Sequence, residues 1–206
     1  MLLQVKKFSA KLLLPLAKKI KRIPANYITF SGLLSAIVVF FGFLLNWLPT
    51  IIIFLFITEF FDQLDGVVAR LQGPTKLGAF LDSTLDRIGD FFLFVGVILS
   101  GYTTREIGLI VLVGTFLTSY TRAKIEALGI DNLYGIGILE RTDRVPILFI
   151  GSILQLWFPT AIWWTMIFLA IGTIITTLQR IIFAYRNFSC DTEKSDNENS
   201  EKITSY

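Results

Sequence analysis

The sequence predicts an all-α integral membrane protein, with six transmembrane helices behind an N-terminal juxtamembrane amphipathic helix. Three observations carry this expectation. The 206 residues are 53% hydrophobic and 17% charged, with a mean hydropathy of +0.65, a balance that soluble domains rarely have. The apolar residues fall into six runs of about 20, the length that crosses a hydrocarbon core. The basic residues gather on one side of those runs, as they do in membrane chains.

The segment 1–24 includes "KKFSAKLLLPLAKKIKRI". Its apolar core is short and carries Lys6, Lys7, Lys11, Lys18, Lys19, Lys21 and Arg22 on both sides. This reads as a helix lying in the membrane interface; no small-residue cleavage site follows it, so it does not read as a signal peptide. The domain 25–188 holds spans at 27–46, 50–71, 78–100, 106–128, 142–158 and 160–186. The tail 189–206, "SCDTEKSDNENSEKITSY", is polar and predicts disorder.

Six spans place both termini on one side. That side carries the seven basic residues of the first segment, Arg70 and Lys76, and then Arg122, Lys124, Arg141 and Arg144; the other side carries only Arg105. Both termini are therefore expected in the cytoplasm, with the chain multi-pass in the cell membrane. The net charge of +3 belongs to this asymmetry and not to nucleic-acid binding. The single Cys190 excludes an internal disulfide, and the chain has no histidine. Acid–base chemistry falls to carboxylates, and any metal is a hard, oxygen-seeking one.

Four aspartates lie in or beside the second and third spans. Asp62 and Asp65 are three apart and Asp82 and Asp86 four apart, so each pair shares one helix face. The turn "LQGPTKLG" makes the two helices antiparallel neighbours, and their carboxylates then converge at the cytoplasmic end. Unpaired charges there are costly. A divalent cation, Mg²⁺ or Mn²⁺ and as a pair of ions, relieves them. Gly66, Ala69 and Gly78 let a ligand approach the backbone, and Arg70 suits phosphate. The combination points to a diphosphate and to phosphoryl transfer. One such Asp alone reads equally well as a structural contact or part of an ion path.

The pattern D-x2-D-G-x2-A-R-x7-G-x3-D-x3-D, filled by Asp62, Asp65, Gly66, Ala69, Arg70, Gly78, Asp82 and Asp86, resembles the signature of the CDP-alcohol phosphatidyltransferases. The resemblance covers roughly residues 8–188. It implies transfer of a phosphatidyl group from a CDP-linked lipid to an alcohol, with release of CMP, in phospholipid biosynthesis. By the same resemblance Asp62, Asp65 and Asp82 ligate metal, and Asp86 is both ligand and general base. Gly66, Arg70, Thr75 and Gly78 meet the CDP moiety, joined by Asn26 and Thr29. The family's Pro-Asn-x-x-Thr-like segment has one extra residue here, Pro24-Ala25-Asn26-Tyr27-Ile28-Thr29. The resemblance also implies a homodimer. Glu59 and Asp90 extend the two acidic faces beyond the signature and read as a polar contact to each other, deeper in the bundle.

The acceptor is read from cations outside the signature. Arg122 and Lys124 end the fourth span, Arg141 and Arg144 begin the fifth, and Arg180 lies within the sixth. Positive-inside charge accounts for Arg122 and Arg186 but not for Arg180, since an arginine in an apolar span faces the interior. A cation cluster beside the carboxylates implies an anionic alcohol. The pieces "SYTRAK", "ERTDR" and "LQR" resemble the branch that makes phosphatidylinositol phosphate or archaetidylinositol phosphate. That resemblance makes Lys124, Arg144 and Arg180, with Arg141 beside them, the site for inositol 1-phosphate, and CDP-diacylglycerol or CDP-archaeol the donor. Glycerol 3-phosphate is the alternative acceptor. A cation transporter is the reading from another class, although the outer halves of the spans offer it few polar residues.

Overall fold

In a computed structural model the chain is described over residues 12–130 and 135–204, the side chains of Arg141 and of all residues beyond Ser189 excepted. Lys6, Lys7 and Lys11 of the amphipathic segment lie outside the described residues. All regular structure among the described residues is helical: α1 over residues 12–20, then α2 (Ala25–Leu44), α3 (Leu48–Gln72), α4 (Lys76–Ser100), α5 (Arg105–Ala127), α6 (Arg141–Leu154) and α7 (Ala161–Thr204).

Local chemistry sets the boundaries. Pro49 sits in the first turn of α3, where its missing N–H costs nothing. Gly73 ends that helix at φ 95°, a conformation glycine enters freely. Thr75 then opens α4, its Oγ1 accepting from the backbone N–H of Gly78 at 3.0 Å. Thr104 caps α5 in the same way through Ile107 N.

The helices close a ring in the order α2, α3, α6, α7, α5, α4. The sequence predicts α3 and α4 as direct neighbours; instead each packs along α2, which stands between them. Small residues allow the approach. A Cβ on Gly96 of α4 would lie 3.2 Å from the Cα of Phe40 in α2, and one on Gly42 of α2 would lie 3.2 Å from Ile51 of α3. A continuous core fills the ring, with Val39, Phe43, Leu55, Phe94, Val111, Leu148 and Met166 at its centre. A second cluster at the N-terminal end of α2 joins Ile28 to Leu64, Val67 and Val68 of α3 and to Ala17 of α1. Part of the apolar face of α1 is therefore spent on the bundle, while Leu12 and Leu16 face outward.

The outer faces are apolar. Phe30, Leu34 and Phe41 of α2, Ile53 and Phe56 of α3, Leu109 and Val113 of α5, and Phe168, Ile171 and Leu178 of α7 are all exposed. Among the described residues, two segments suffice by length and apolarity to cross a bilayer, Ala25–Leu44 and Ala161–Ser189. Glu59, Asp62 and Asp65 interrupt α3, and Asp86, Arg87 and Asp90 interrupt α4. The fifth span, expected at 142–158, is a helix of only 14 residues. At 1.5 Å per residue it falls well short of a hydrocarbon core. The last helix runs past the expected end of the sixth span at 186 to Thr204. The tail contains no Gly or Pro, and adding residues to an established helix costs far less than starting one.

Helix contacts this close make the ring sensitive to single methyl groups. A Cβ on Gly114 of α5 would lie 2.8 Å from the Cβ of Thr173 in α7, whereas one on Gly32 would find its nearest neighbour at 3.5 Å. Gly114→Ala is expected to destabilise by about 1–3 kcal/mol through overpacking. Gly32→Ala should hold or raise the melting temperature, because alanine favours a helix. Thermal unfolding in detergent distinguishes the two; equal behaviour would contradict the packing described.

Candidate functional site

One carboxylate oxygen from each of Asp62, Asp82 and Asp86 lies within 4.8 Å of the others. The helices that carry them are held apart by α2, so the side chains meet across a cleft and not in a packed seam. Asp65, one turn from Asp62, is 3% exposed, and its Oδ2 is buried with no hydrogen-bond partner. A buried acceptor without a donor is costly, and like charges at this spacing repel. Four carboxylates and no imidazole match a hard divalent cation, which would satisfy both. The residues present fit such an ion.

Two cavities flank this cluster. One, of about 380 Å³, lies between the start of α2, the end of α3 and the start of α4. Its walls include Asn26, Thr29, Asp65, Gly66, Arg70, Thr75, Gly78 and Asp82. Every residue assigned from sequence to the CDP-lipid is therefore in one place. The glycines make the room. A Cβ on Gly66 would sit 3.6 Å from Nη1 of Arg70, and one on Gly78 would sit 3.0 Å from Oγ1 of Thr75 and 3.5 Å from Oδ1 of Asn26.

Gln72 belongs to the same wall and is absent from the sequence reading. Its Oε1 accepts from Ala25 N at 3.1 Å, and its Nε2 donates to Lys21 O at 2.9 Å and Ile23 O at 2.6 Å. Pro24, at the N-cap of α2, gives no side-chain cap, so Gln72 supplies the acceptor from another helix. It thereby ties the entry of α2, and with it Asn26, to the end of α3. A glutamine at a helix end gives no sequence signal of this.

The second cavity, of about 300 Å³, is lined by Asp82, Ser83, Asp86, Arg87, Ser119, Arg122, Ala123, Glu126, Arg144 and Arg180. Asp82 stands in the walls of both cavities. Of the cations assigned from sequence to the acceptor, Arg144 and Arg180 are here. Lys124 is exposed and not in this wall. Arg122 takes that place, because residues four apart share a helix face and residues two apart point nearly opposite ways. Arg122 also pairs with Glu126, Nε to Oε1 at 2.9 Å. Arg87, next to Asp86, is a further cation the sequence reading missed; its Nη1 donates to the carbonyl and hydroxyl of Ser83. The side chain of Arg141 lies outside the described residues.

Arg144 and Arg180 are 1% and 2% exposed. Arg144 Nη1 pairs with Asp90 Oδ2 at 3.3 Å and donates to Thr115 O at 3.3 Å; its Nη2 donates to Thr118 Oγ1 at 2.8 Å. Asp90 was expected to meet Glu59. Its carboxylate pairs with Arg144, and Glu59 accepts from Gln63 Nε2 at 2.9 Å. Arg180 donates from Nε to Ile136 O at 3.1 Å and from Nη1 to Thr118 O. The loop carrying Ile136 lies close on α7: Gly137 has φ 135°, and any Cβ there would collide with Thr176.

A model of the CDP-alcohol phosphatidyltransferase family matches residues 22–130. The archaetidylinositol phosphate synthase of Methanothermobacter thermautotrophicus is 38% identical, over 84% of this chain and 88% of its own. The phosphatidylinositol phosphate synthase of Mycolicibacterium smegmatis is 33% identical, over 83% of this chain and 82% of its own. Crystal structures of the Mycobacterium tuberculosis phosphatidylinositol phosphate synthase share the fold at 28% identity and a TM-score of 0.74. One, with CDP-DAG bound, is matched over 85% of this chain and 94% of that one. Another, in complex with manganese and citrate, is matched over 84% and 88%. The clustered carboxylates, the cavities they share and these likenesses have one common explanation: the chain belongs to the CDP-alcohol phosphatidyltransferase family, membrane-bound transferases of phospholipid biosynthesis.

Proposed function

We propose that this enzyme transfers a phosphatidyl or archaetidyl group from a CDP-linked lipid to inositol 1-phosphate and releases CMP. The observation that carries the reading is the position of Asp82 in the walls of both cavities. The donor's diphosphate lies in the cavity of Arg70, with the nucleotide against Asn26, Thr29, Gly66, Thr75 and Gly78. The acceptor's phosphate lies in the cavity of four arginines. Relatives named for inositol phosphate products support this acceptor. Membership in a transferase family displaces the reading of the carboxylates as a cation path.

Asp62, Asp65, Asp82 and Asp86 would hold divalent cations, Mg²⁺ or Mn²⁺ and two in number. Bound, they would supply charge neutralisation at the donor's diphosphate. Asp86 faces the acceptor cavity and takes the proton of the attacking hydroxyl. The hydroxyl oxygen bonds to the lipid-side phosphorus as the bond from that phosphorus to the CMP phosphate oxygen breaks. CMP leaves with that oxygen. Arg144, Arg180, Arg122 and Arg87 hold the acceptor's own phosphate away from the carboxylates.

In the membrane α2 to α7 form six spans with their apolar outer faces in hydrocarbon, the apolar residues 156–158 extending α6. Residues 1–24 lie at the cytoplasmic interface, 25–188 form the transferase domain, and 189–206 follow it in the cytoplasm. The enzyme works as a homodimer, which family likeness alone supports.

Asp86→Asn should lower kcat by about 10²–10⁴-fold, the usual contribution of a general base. Asp62→Asn, lacking that role, should mainly raise the metal concentration needed for half activity. Near-normal turnover in the Asp86 variant would rule out the base assignment, and full activity in chelator would rule out the metal. Arg180→Ala should raise KM for inositol 1-phosphate by about tenfold or more, since one charged hydrogen bond is worth roughly 1.5–3 kcal/mol. KM for the CDP-lipid should change little. Assays with inositol 1-phosphate, glycerol 3-phosphate, free inositol and serine test the acceptor: a preference for glycerol 3-phosphate changes the branch, and a preference for an uncharged alcohol removes the phosphate site. In a Cys190→Ser background, a cysteine at Thr104 should label from outside and one at Lys76 only from the cytoplasm. The reverse would overturn the topology.

A further inference from the structure

Two guanidinium groups from different helices, Arg144 on α6 and Arg180 on α7, face one cavity. Long side chains do not keep a fixed separation unless something registers them, and two-pronged recognition of a phosphate needs that separation fixed. Of the hydrogen bonds recorded for the two arginines, those at Thr118 are the ones they have in common. Its hydroxyl accepts from Nη2 of Arg144 at 2.8 Å, and its carbonyl accepts from Nη1 of Arg180. The hydroxyl's own proton goes to Thr115 O at 2.9 Å, so its lone pair is left turned to Arg144. Thr115 O also accepts from Nη1 of Arg144, which fixes the plane of the guanidinium. Thr118 is fully buried and does not line the cavity. Any effect it has on a ligand passes through the arginines.

We infer that Thr118 is the positioning residue of the acceptor site: its hydroxyl sets the orientation of Arg144 and its carbonyl the position of Arg180, so that α5 fixes the distance between two cations it does not carry. This rests on the reading of that cavity as the site for the acceptor's phosphate. The division of labour has a consequence for substitution. A side-chain change removes the hold on Arg144 only, because the carbonyl that holds Arg180 stays. Thr118→Val keeps the branched shape and loses the acceptor; Thr118→Ser keeps the acceptor.

The test is a double-mutant cycle on the purified full chain with CDP-lipid and inositol 1-phosphate. Thr118→Val should raise KM for inositol 1-phosphate by about tenfold, with kcat, KM for the CDP-lipid and melting temperature little changed. Thr118→Ser should restore the acceptor KM. In an Arg144→Ala background that also carries Asp90→Asn, so that no buried charge is stranded, Thr118→Val should add nothing, because the group it orients is gone. An unchanged acceptor KM in Thr118→Val, or effects that simply add, would overturn the inference. So would a uniform loss of stability and of both KM values, which marks a purely structural role. Should the valine variant fail to fold, Thr118→Ala against Thr118→Ser poses the same question with the same outcomes. If Arg144→Ala itself leaves the acceptor KM unchanged, the acceptor site has been misplaced. If Arg144→Ala raises it and Thr118→Val does not, only the positioning role fails.

Discussion

Carboxylates from α3 and α4 have to meet without their helices meeting. That constraint governs the rest of the architecture. Two helices joined by a three-residue turn would ordinarily pack together, and their aspartates would then be sealed in a seam with no room for a ligand. Here α2 occupies the place each would take against the other. The close approaches at Gly42 and Gly96 let it sit deep enough to hold both. The cleft that remains is wide enough for the donor cavity, yet Asp62, Asp82 and Asp86 still come within 4.8 Å.

An acidic cluster in an apolar bundle needs balancing charge, and the need arises at two depths. Nearest the cluster, the four carboxylates match a divalent cation. One turn deeper, Asp90 pairs with Arg144 at 2% and 1% side-chain exposure. Removing either partner of such a pair would strand a buried charge. Arg144 is shared: Asp90 and the carbonyl of Thr115 take one edge of its guanidinium, while the residue still contributes to the cavity wall. The acidic helix and the cationic helices thus neutralise each other, and the cavity of four arginines forms where they meet.

Much of this was legible in the sequence, for a physical reason in each case. The motif could be placed because spacings of three and four fix a shared helix face, and Asp62, Asp82 and Asp86 each bring one carboxylate oxygen within 4.8 Å of the others. The arginine in α7 was legible because a charge in an apolar run must face inward, as Arg180 does. What was illegible depended on which neighbour a side chain finds. Asp90 gives no sign of pairing with Arg144. Lys124 and Arg122 look alike until the rotation of α5 against α7 is known. Gln72 caps a helix that starts 47 residues earlier, and nothing local announces it. The place of α2 between α3 and α4 was hidden for the same reason: a short turn predicts antiparallel neighbours, and the small residues that favour the other arrangement, Gly42 of α2 and Gly96 of α4, lie far from that turn.

The course of α4 explains why donor and acceptor can be brought together by so small a protein. Over about three turns this helix presents Gly78 to the cavity of Arg70, Asp82 to both cavities, Asp86 and Arg87 to the cavity of the arginines, and Asp90 to the buried guanidinium. On the proposed reading, one rigid element therefore carries the contacts for both substrates and the carboxylate between them. A helix rises 1.5 Å per residue, so the four residues from Asp82 to Asp86 amount to about 6 Å along the axis. Direct transfer between the two cavities is then a matter of filling both at once. The helix that must not move during it is flanked by α2 on one side and α5 on the other.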